Sequence, residues 1–276
     1  MKQMLKTLVT YLVIAFILGA ILIANGIFGN PISKAIVTSQ AKSYIETTYS
    51  NTDYYLDDVR YSFKIGGYYA HIKSKSSPDT YFSVSYNFFG QADYDNFDSY
   101  VTSGFNTWDR INSDYRSQTN KILDAFPYPS EIAFGEIQTQ DKSNSLINFG
   151  VDMQSLELDK AYNLYEMGKQ YGKITLYVDD SDVSIPKVME ILKTVKNQFD
   201  ASNQAFYAID FVLQTPKTKD NGDDLSYSEI RLESFLYEHI DSDDFESKVQ
   251  QSIVDTQNFY DEKDKMKEKE LTGCLN

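Results

Sequence analysis

The clearest strand in the sequence is residues 80–88, TYFSVSYNF, in which apolar and polar side chains alternate with a period of two. Phe82 and Val84 are predicted to point to one face of a sheet, whereas Ser83 and Ser85 point to the other. The stretch therefore predicts a strand that packs one face against a core.

Two strands and a helix precede this stretch. Residues 59–65 alternate in the same way, the pair Gly66-Gly67 favours a tight hairpin turn, and residues 68–73 form the returning strand. An apolar stripe over residues 32–49 predicts a helix. Together these elements predict a helix with an antiparallel sheet.

This α+β domain is predicted to fill residues 31–140. Apolar residues at spacings of three, four and seven predict a long helix over residues 97–122, and residues 132–137 add an edge strand. Because residues 138–155 are polar, the domain boundary is predicted there.

A second α+β domain is predicted for residues 150–262, followed by a charged flexible tail, residues 263–276. Its elements follow the order α-β-α-β-β-α, which is typical of a small sandwich of helices and a sheet. They are helices 158–168, 185–199 and 245–259 and strands 174–178, 205–214 and 225–237.

The first thirty residues differ from all the others. Residues 8–24 form an apolar run of seventeen, Lys2 and Lys6 precede it, and no acidic residue occurs before Glu46. A spanning helix needs roughly 20 apolar residues and tolerates about 17, and its positive flank stays in the cytoplasm. We therefore expect residues 1–30 to form a cytoplasmic tip and one transmembrane signal anchor, with two α+β domains on the extracytoplasmic side of the cell membrane. A cleaved secretory signal and a buried core helix are the alternatives.

Charge and cysteine content limit the classes of partner and compartment. The chain carries 26 Lys and Arg against 40 Asp and Glu, a net charge of −14, and residues 1–30 hold two lysines and no acid. The remainder therefore carries −16, which repels nucleic acid and anionic headgroups. The expected partners are the membrane, through the single N-terminal helix, and an unknown envelope protein or polymer, with no nucleic acid. Because Cys274 is the single cysteine, no intramolecular disulfide can form, which favours a Gram-positive source.

Four segments carry a family resemblance. They are GNPISK (29–34), AKSYIETTYSNTDYYLDDVRYSFKIGGYYAHIKSKSSPDTYFSVSYNFFGQADYD (41–95), WDRINSDYR (108–116) and FPYPSEIAFGEI (126–137). Over residues 29–137 the chain resembles the YfjL-like proteins of Firmicutes. The resemblance implies a membrane-anchored protein of two domains, with an α+β N-terminal domain and no catalytic residues to carry over.

The N-terminal stretch also resembles PepSY domains in layout: a helix, an extended pair, and a strand that closes in a polar-x-x-Gly turn. Asn87-Phe88-Phe89-Gly90 matches this turn, although Asn87 stands where that family usually carries an acidic residue. The resemblance implies restraint of an envelope protease.

One short motif matches an enzyme class. Ser184-Ile-Pro-Lys187 fits the S-x-x-K motif of penicillin-recognising enzymes, which also need S-D-N-like and K-T-G-like elements that this sequence lacks. We therefore interpret Ser184 as a helix cap and Pro186 as a residue of the first turn.

Signals for a metal or a cofactor are weak. His71 and His239 are the only histidines, and no zinc-site spacing joins them. The acidic clusters 179–182 and 220–224 depart from the EF-hand pattern, and cluster 241–244 is interpreted as a helix cap. We predict no cofactor and no dedicated metal site, with adventitious calcium or magnesium at the first two clusters as the alternative.

Tyrosines crowd the three predicted strands, and alternation cannot bury them all. Exposed tyrosines suit recognition of peptides or glycans, whereas burial on both faces of the sheet is the alternative. The predicted binding face consists of Tyr54, Tyr55, Tyr61, Tyr68, Tyr69, Tyr81 and Tyr86.

These observations predict a membrane-anchored extracytoplasmic protein that binds an envelope component and is not an enzyme. The sequence contains no recognisable nucleophile–base pair, metal spacing or cofactor loop. Modulation or inhibition of an envelope protease is the first alternative, and an envelope hydrolase with a scattered acidic pair is the second.

Overall fold

A computed structural model describes residues 2–140, 146–216 and 228–273. The chain divides into two compact units, each with its own four-stranded sheet. The N-terminal unit holds the described residues up to Thr107 together with Glu157–Asp159, and the C-terminal unit holds the other described residues from Trp108 onward. The predicted α+β class is therefore confirmed for both units.

The N-terminal unit contains two helices and an antiparallel sheet with the strand order β1-β2-β3-β4. Its elements are α1 (Lys2–Phe28), α2 (Pro31–Thr48), β1 (Tyr55–Ser62), β2 (Gly67–Lys73), β3 (Tyr81–Tyr86) and β4 (Ala92–Asp95). A short π-helical turn, Asp98–Thr102, follows β4.

The α2 helix supplies one side of the core of this unit. Asn30 caps it by accepting a hydrogen bond of 2.8 Å from the backbone N–H of Ser33. Val37, Ala41 and Ile45 recur at a spacing of four and are buried against the apolar face of the sheet. The alternation in residues 80–88 thus has the predicted consequence, because one face of β3 fills this core.

The C-terminal unit combines antiparallel and parallel pairing in a sheet with the strand order β5-β6-β7-β8. Its elements, in chain order, are α3 (Phe105–Asp124, whose first turn is counted in the N-terminal unit), β5 (Ser130–Ile137), α4 (Leu164–Tyr171), β6 (Gly172–Asp179), α5 (Ile185–Ala201), β7 (Ala208–Gln214), β8 (Glu229–Leu236) and α6 (Phe245–Gly273). The strands β6 and β7 are parallel and are connected by α5, whereas the other neighbours are antiparallel.

The core of the C-terminal unit lies between this sheet and its helices. Val188, Leu192, Val195 and Phe199 of α5 are buried at the helical period against the sheet, where Phe211 of β7 is fully buried. The apolar residues predicted at helical spacing over residues 185–199 therefore form the buried face of α5.

The division into units differs from the boundary predicted at residues 138–155, which lies after β5. The strand β5 pairs with β6 along its whole length, from Ser130 opposite Val178 to Ile137 opposite Gly172. It therefore belongs to the C-terminal sheet. A short strand near a boundary does not reveal from its own residues which sheet it will join.

Two predicted helices also begin later than the periodicity indicated. The helix predicted over residues 97–122 is interrupted at Gly104, whose φ of +77° is a left-handed conformation that glycine adopts readily, and α3 begins after it. The helix predicted over residues 158–168 begins only after Asn163, whose side chain caps α4.

The α6 helix continues to Gly273, through most of the predicted flexible tail. Side-chain contacts about one turn apart support it, with Gln257 Nε2 at 2.8 Å from Asp261 Oδ1 and Lys267 Nζ at 3.4 Å from Asp264 Oδ1. Cys274 lies outside the described residues.

The prediction of an N-terminal transmembrane helix is contradicted. Within residues 2–140, 146–216 and 228–273, no helix combines the length and the apolarity that a membrane crossing requires. The prediction depended on a run of seventeen residues, which is at the lower limit for a bilayer. That run also includes Thr10, Tyr11 and Gly19.

Candidate functional site

A cleft lies on the face of the N-terminal sheet opposite α2, which we call the open face. Its volume is about 380 Å³. The functional groups around it are mostly charged, polar or aromatic, and they come from three strands and the π-helical turn. Those that carry the argument below are Asp57, Arg60, His71, Lys73, Tyr81 and Tyr100.

The pleat of the strands determines which side chains reach the open face. Ile72 of β2 fills the core, so its neighbour His71 points to the opposite side. The register places His71 between Asp58 of β1 and Ser83 of β3. Ser83 is fixed in turn, because its backbone N–H donates to Asn96 Oδ1 at 2.7 Å. The cleft is thus built on paired strands.

His71 is the titratable group at the centre of the cleft. Its Nδ1 is 2.8 Å from Ser83 Oγ, and its Nε2 makes no hydrogen bond to any described residue. Burial lowers the pKa of His71 below its usual 6.5, and the nearby Arg60 guanidinium lowers it further, against the opposing effect of Asp58. The imidazole is therefore neutral at pH 7 and presents one nitrogen to a ligand.

Three charged side chains line the cleft, Asp57, Arg60 and Lys73, and together with Asp58, which lies beside the lining residues, they form two ion pairs. Lys73 Nζ is 2.7 Å from Asp57 Oδ2, and Arg60 Nε donates to Asp58 Oδ2 at 2.6 Å. The Arg60 hydrogen bond lowers the pKa of Asp58, and the Asp57 hydrogen bond raises the pKa of Lys73. The opposite charges within each ion pair offset one another locally.

We expect the His71 imidazole to titrate below pH 6.5, as followed by its ring proton shifts in NMR. Its neutral form is favoured in the folded protein, so its contribution to stability is present above pH 6.5 and is lost as the pH falls through the lowered pKa. In Arg60→Gln the pKa of His71 should rise, because a neighbouring cation is removed. The pKa of His239 in the C-terminal unit serves as the internal control and should not move. A His71 pKa above 6.5 in the unaltered protein would contradict this description.

The predicted tyrosine set is divided between the two faces of the sheet. Tyr69 and Tyr81 lie on the open face, in register with polar residues of the neighbouring strands. Two further tyrosines share this face but were not predicted: Tyr94, opposite Ser85 on β4, and Tyr100 in the π-helical turn at the cleft. The polar positions Ser83 and Ser85 of the alternating stretch 80–88 were the sequence signal for this side of the sheet.

Four of the other predicted tyrosines do not lie on the open face. Tyr68 and Tyr86 are 1 % exposed in the core, and Tyr54 and Tyr61 pack against that core. Tyr55 begins β1 opposite Lys73 of β2, on the open face, and is 37 % exposed. The predicted seven-residue binding face is therefore two separate groups.

Two of the core-side tyrosines hold the junction between α1 and α2. The Tyr61 hydroxyl donates to the carbonyl of Gly26 at 2.6 Å, and the Tyr68 hydroxyl donates to the carbonyl of Asn30 at 2.9 Å. Gly29 has a φ of +71°, and a Cβ added there would be 2.7 Å from Tyr61 Cγ and Tyr68 Oη. These side chains have a structural role in the N-terminal unit.

The S-x-x-K match is a helix start. Ser184 Oγ accepts from the backbone N–H of Lys187 at 3.4 Å, and Pro186 lies in the first turn of α5. The Lys187 ammonium lies 3.3 Å from Glu190 and 4.8 Å from the ring centroid of Tyr128. The interpretation of Ser184 as a cap is therefore confirmed.

The remaining candidate residues are dispersed. His239 packs its ring 5.5 Å from that of Phe235, and burial lowers its pKa. In cluster 179–182, Asp180 accepts from the N–H of Asp182 in a turn, while cluster 220–224 lies outside the described residues. Among the residues that the structure describes, no group of three or more His, Cys, Asp or Glu side chains could hold a metal ion.

Among the described residues around the cleft, no third group orients His71 in the way that a nucleophilic triad requires. A serine nucleophile needs a histidine base that is itself oriented by a third group. The serine here contacts Nδ1 of His71, and both oxygens of Asp58 are engaged, one by Arg60 and one by the N–H of Val59. The geometry is suited to hydrogen bonding with a ligand.

Comparison with known proteins gives one clear result. A family model described as YfjL-like, N-terminal domain, matches residues 4–96, and one described as YfjL-like C-terminal domain matches residues 114–250. No curated protein and no solved structure matches the chain significantly. The two family models together cover most of the chain and follow the same order as the two units. The chain therefore belongs to the YfjL-like family and carries both of its domains.

Proposed function

We propose that this protein is a non-enzymatic binding module whose N-terminal unit takes its ligand in the open-face cleft. One observation carries the proposal: paired charges, a neutral imidazole and tyrosines converge on one cleft on the side of the sheet opposite α2. Concave sites with a few convergent polar groups and aromatic side chains are typical of ligand recognition.

Binding is favoured over catalysis by the engagement of the polar groups. Asp58 uses both carboxylate oxygens within its own strand, and His71 contacts Ser83 through Nδ1. Neither group is held in a position to activate the other. The net charge of −14 argues against nucleic acid as the ligand.

The alternative of protease modulation depends on the resemblance to PepSY domains alone. The Asn87 turn on which the PepSY-like layout depends is closed by its own hydrogen bonds, since Asn87 Oδ1 accepts from the N–H groups of Phe89 and Gln91. Protease modulation and a location outside the cytoplasm both stay predictions.

The proposed function is tested by site-specific photo-cross-linking in the full chain. We expect p-benzoylphenylalanine at position 100, beside the cleft, to form a covalent adduct in cells. The same group at position 94 is the matched control, because Tyr94 lies on the same face, is more exposed (60 % against 38 %) and does not line the cleft. Equal adducts at both positions, or no adduct at position 100, would overturn the proposal.

A further inference from the structure

We propose that the ligand of the open-face cleft is a neutral, hydroxyl-rich molecule, a segment of an uncharged carbohydrate chain. The inference rests on the proposed binding function and adds the chemical class of the ligand. Three features carry it: the cancellation of charge at the cleft, the unused hydrogen-bond donors of Lys73 and Arg60, and the tyrosine rings beside them.

Charge cancellation disfavours an ionic ligand. Asp57 is matched by Lys73 and Asp58 by Arg60, so an anion meets no excess of cations and a cation meets no excess of carboxylates. The chain as a whole carries −14, which repels anions over longer distances. A phosphate-rich or acidic ligand would therefore gain little electrostatic attraction at this site.

The two cations of these pairs keep most of their hydrogen-bond donors. An ammonium has three donors and a guanidinium has five. In the described contacts with their carboxylate partners, Lys73 spends one donor on Asp57, and Arg60 donates through Nε to Asp58. Nε2 of His71 adds a donor or an acceptor. A hydroxyl group both donates and accepts, so neighbouring hydroxyls on one ring match such a mixed set.

The tyrosine rings supply the apolar part of the site. Tyr81 and Tyr100 line the cleft, and the Tyr100 ring is held edge-on against Phe105, with centroids 5.1 Å apart. Aromatic rings present a large flat surface at little conformational cost. The C–H face of a sugar ring suits this surface, while its hydroxyl rim suits the polar groups beside it.

The probes are neutral hexasaccharides of β-1,4-glucose, α-1,4-glucose and β-1,4-N-acetylglucosamine, titrated into the full chain and followed by NMR. We expect at least one to shift the His71 ring signals and its affinity to be unchanged between low and high salt, since no net charge is neutralised. Tyr100→Ala should weaken the binding of that hexasaccharide by about tenfold, the size expected for one aromatic contact of about 1.4 kcal/mol. Tyr94→Ala is the matched control and should bind like the unaltered protein.

Two results would overturn the ligand class. One is binding only of an anionic polymer such as polygalacturonate, or only of a basic peptide, with an affinity that falls steeply with salt. The other is no shift with any neutral probe. If the adduct at position 100 persists in either case, the binding function stands and only the ligand class fails. If position 100 forms no adduct either, both the binding function and the ligand class fail.

Discussion

Replacing Tyr115 with alanine is expected to destabilise the C-terminal unit by about 4 kcal/mol, the cost of deleting a large aromatic side chain from a packed core. Tyr115 is completely buried, and its hydroxyl donates to the carbonyl of Ala205 at 2.8 Å. Two glycines pack against its ring, since a Cβ at Gly168 would lie 2.7 Å from Tyr115 Cε2 and one at Gly172 would lie 2.5 Å from its hydroxyl. Urea unfolding, with hydrogen exchange of the β6 and β7 amides as the local probe, measures the loss.

The matched control is Tyr115→Phe, which keeps the ring and removes the hydroxyl. It should cost only about 1–2 kcal/mol, because the Ala205 carbonyl loses its partner while the packing is retained. Gly168→Ala tests the same packing from the other side, since its Cβ would also clash with the carbonyl oxygen of Ala205. A loss below about 1 kcal/mol in Tyr115→Ala would show that this contact is not part of the stabilising core.

Replacing Asp95 with alanine is expected to destabilise the N-terminal unit by about 3 kcal/mol, because three donors lose one charged acceptor. The hydroxyls of Tyr44 and Tyr49 each donate to Asp95 Oδ2 at 2.8 Å, and the N–H of Phe97 donates to Oδ1 at 2.8 Å. These contacts join α2, the residue that follows it, and the end of β4. Hydrogen exchange of the β2 and β3 amides measures the effect.

Asp95→Asn and Tyr44→Phe are the controls. The asparagine keeps an acceptor and should lose less than the alanine, and Tyr44→Phe removes one of the three hydrogen bonds and should cost about 1 kcal/mol. A smaller loss for Asp95→Ala than for Tyr44→Phe would contradict this account.

The hydrogen bonds of Tyr44 and Tyr49 to Asp95 also predict how the stability changes at high pH. Burial, together with the Asp95 carboxylate, raises the pKa of Tyr44 to about 12 and raises that of Tyr49 as well. Because the folded pKa lies above the unfolded value of 10, the stabilising contribution is present below pH 10 and is lost as the pH rises through about 12. In Asp95→Ala the loss should begin at lower pH.

Strands and caps were the features that local sequence could predict. Alternation in residues 80–88 gives β3 its two faces, and the Ser184 cap with Pro186 places the start of α5 where the periodicity begins. These signals succeed because a cap or an alternating strand depends on residues that are close together in the chain.

The predicted tyrosine face shows where local reasoning ends. Alternation assigns Tyr68 and Tyr69 to opposite faces, but only the position of α2 decides which face is covered. The contact between His71 and Ser83 depends on the β2–β3 register, which is set by the turn between them and by burial of one face. Neither residue carries a motif that would have identified this pair.

The transmembrane helix was predicted from the length of one apolar run and its flanking lysines, and the structure contradicts that prediction. A run at the lower length limit for a bilayer satisfies the length criterion, but length alone does not establish that a helix crosses a membrane. The sequence by itself determined the α+β class, the family, the caps and the strand faces, because these follow from neighbouring residues and local periods. Only the tertiary structure decided that β5 joins the second sheet and that His71, Ser83 and the Asp57–Lys73 ion pair share one cleft, because strand pairing and helix coverage depend on contacts between residues far apart in the chain.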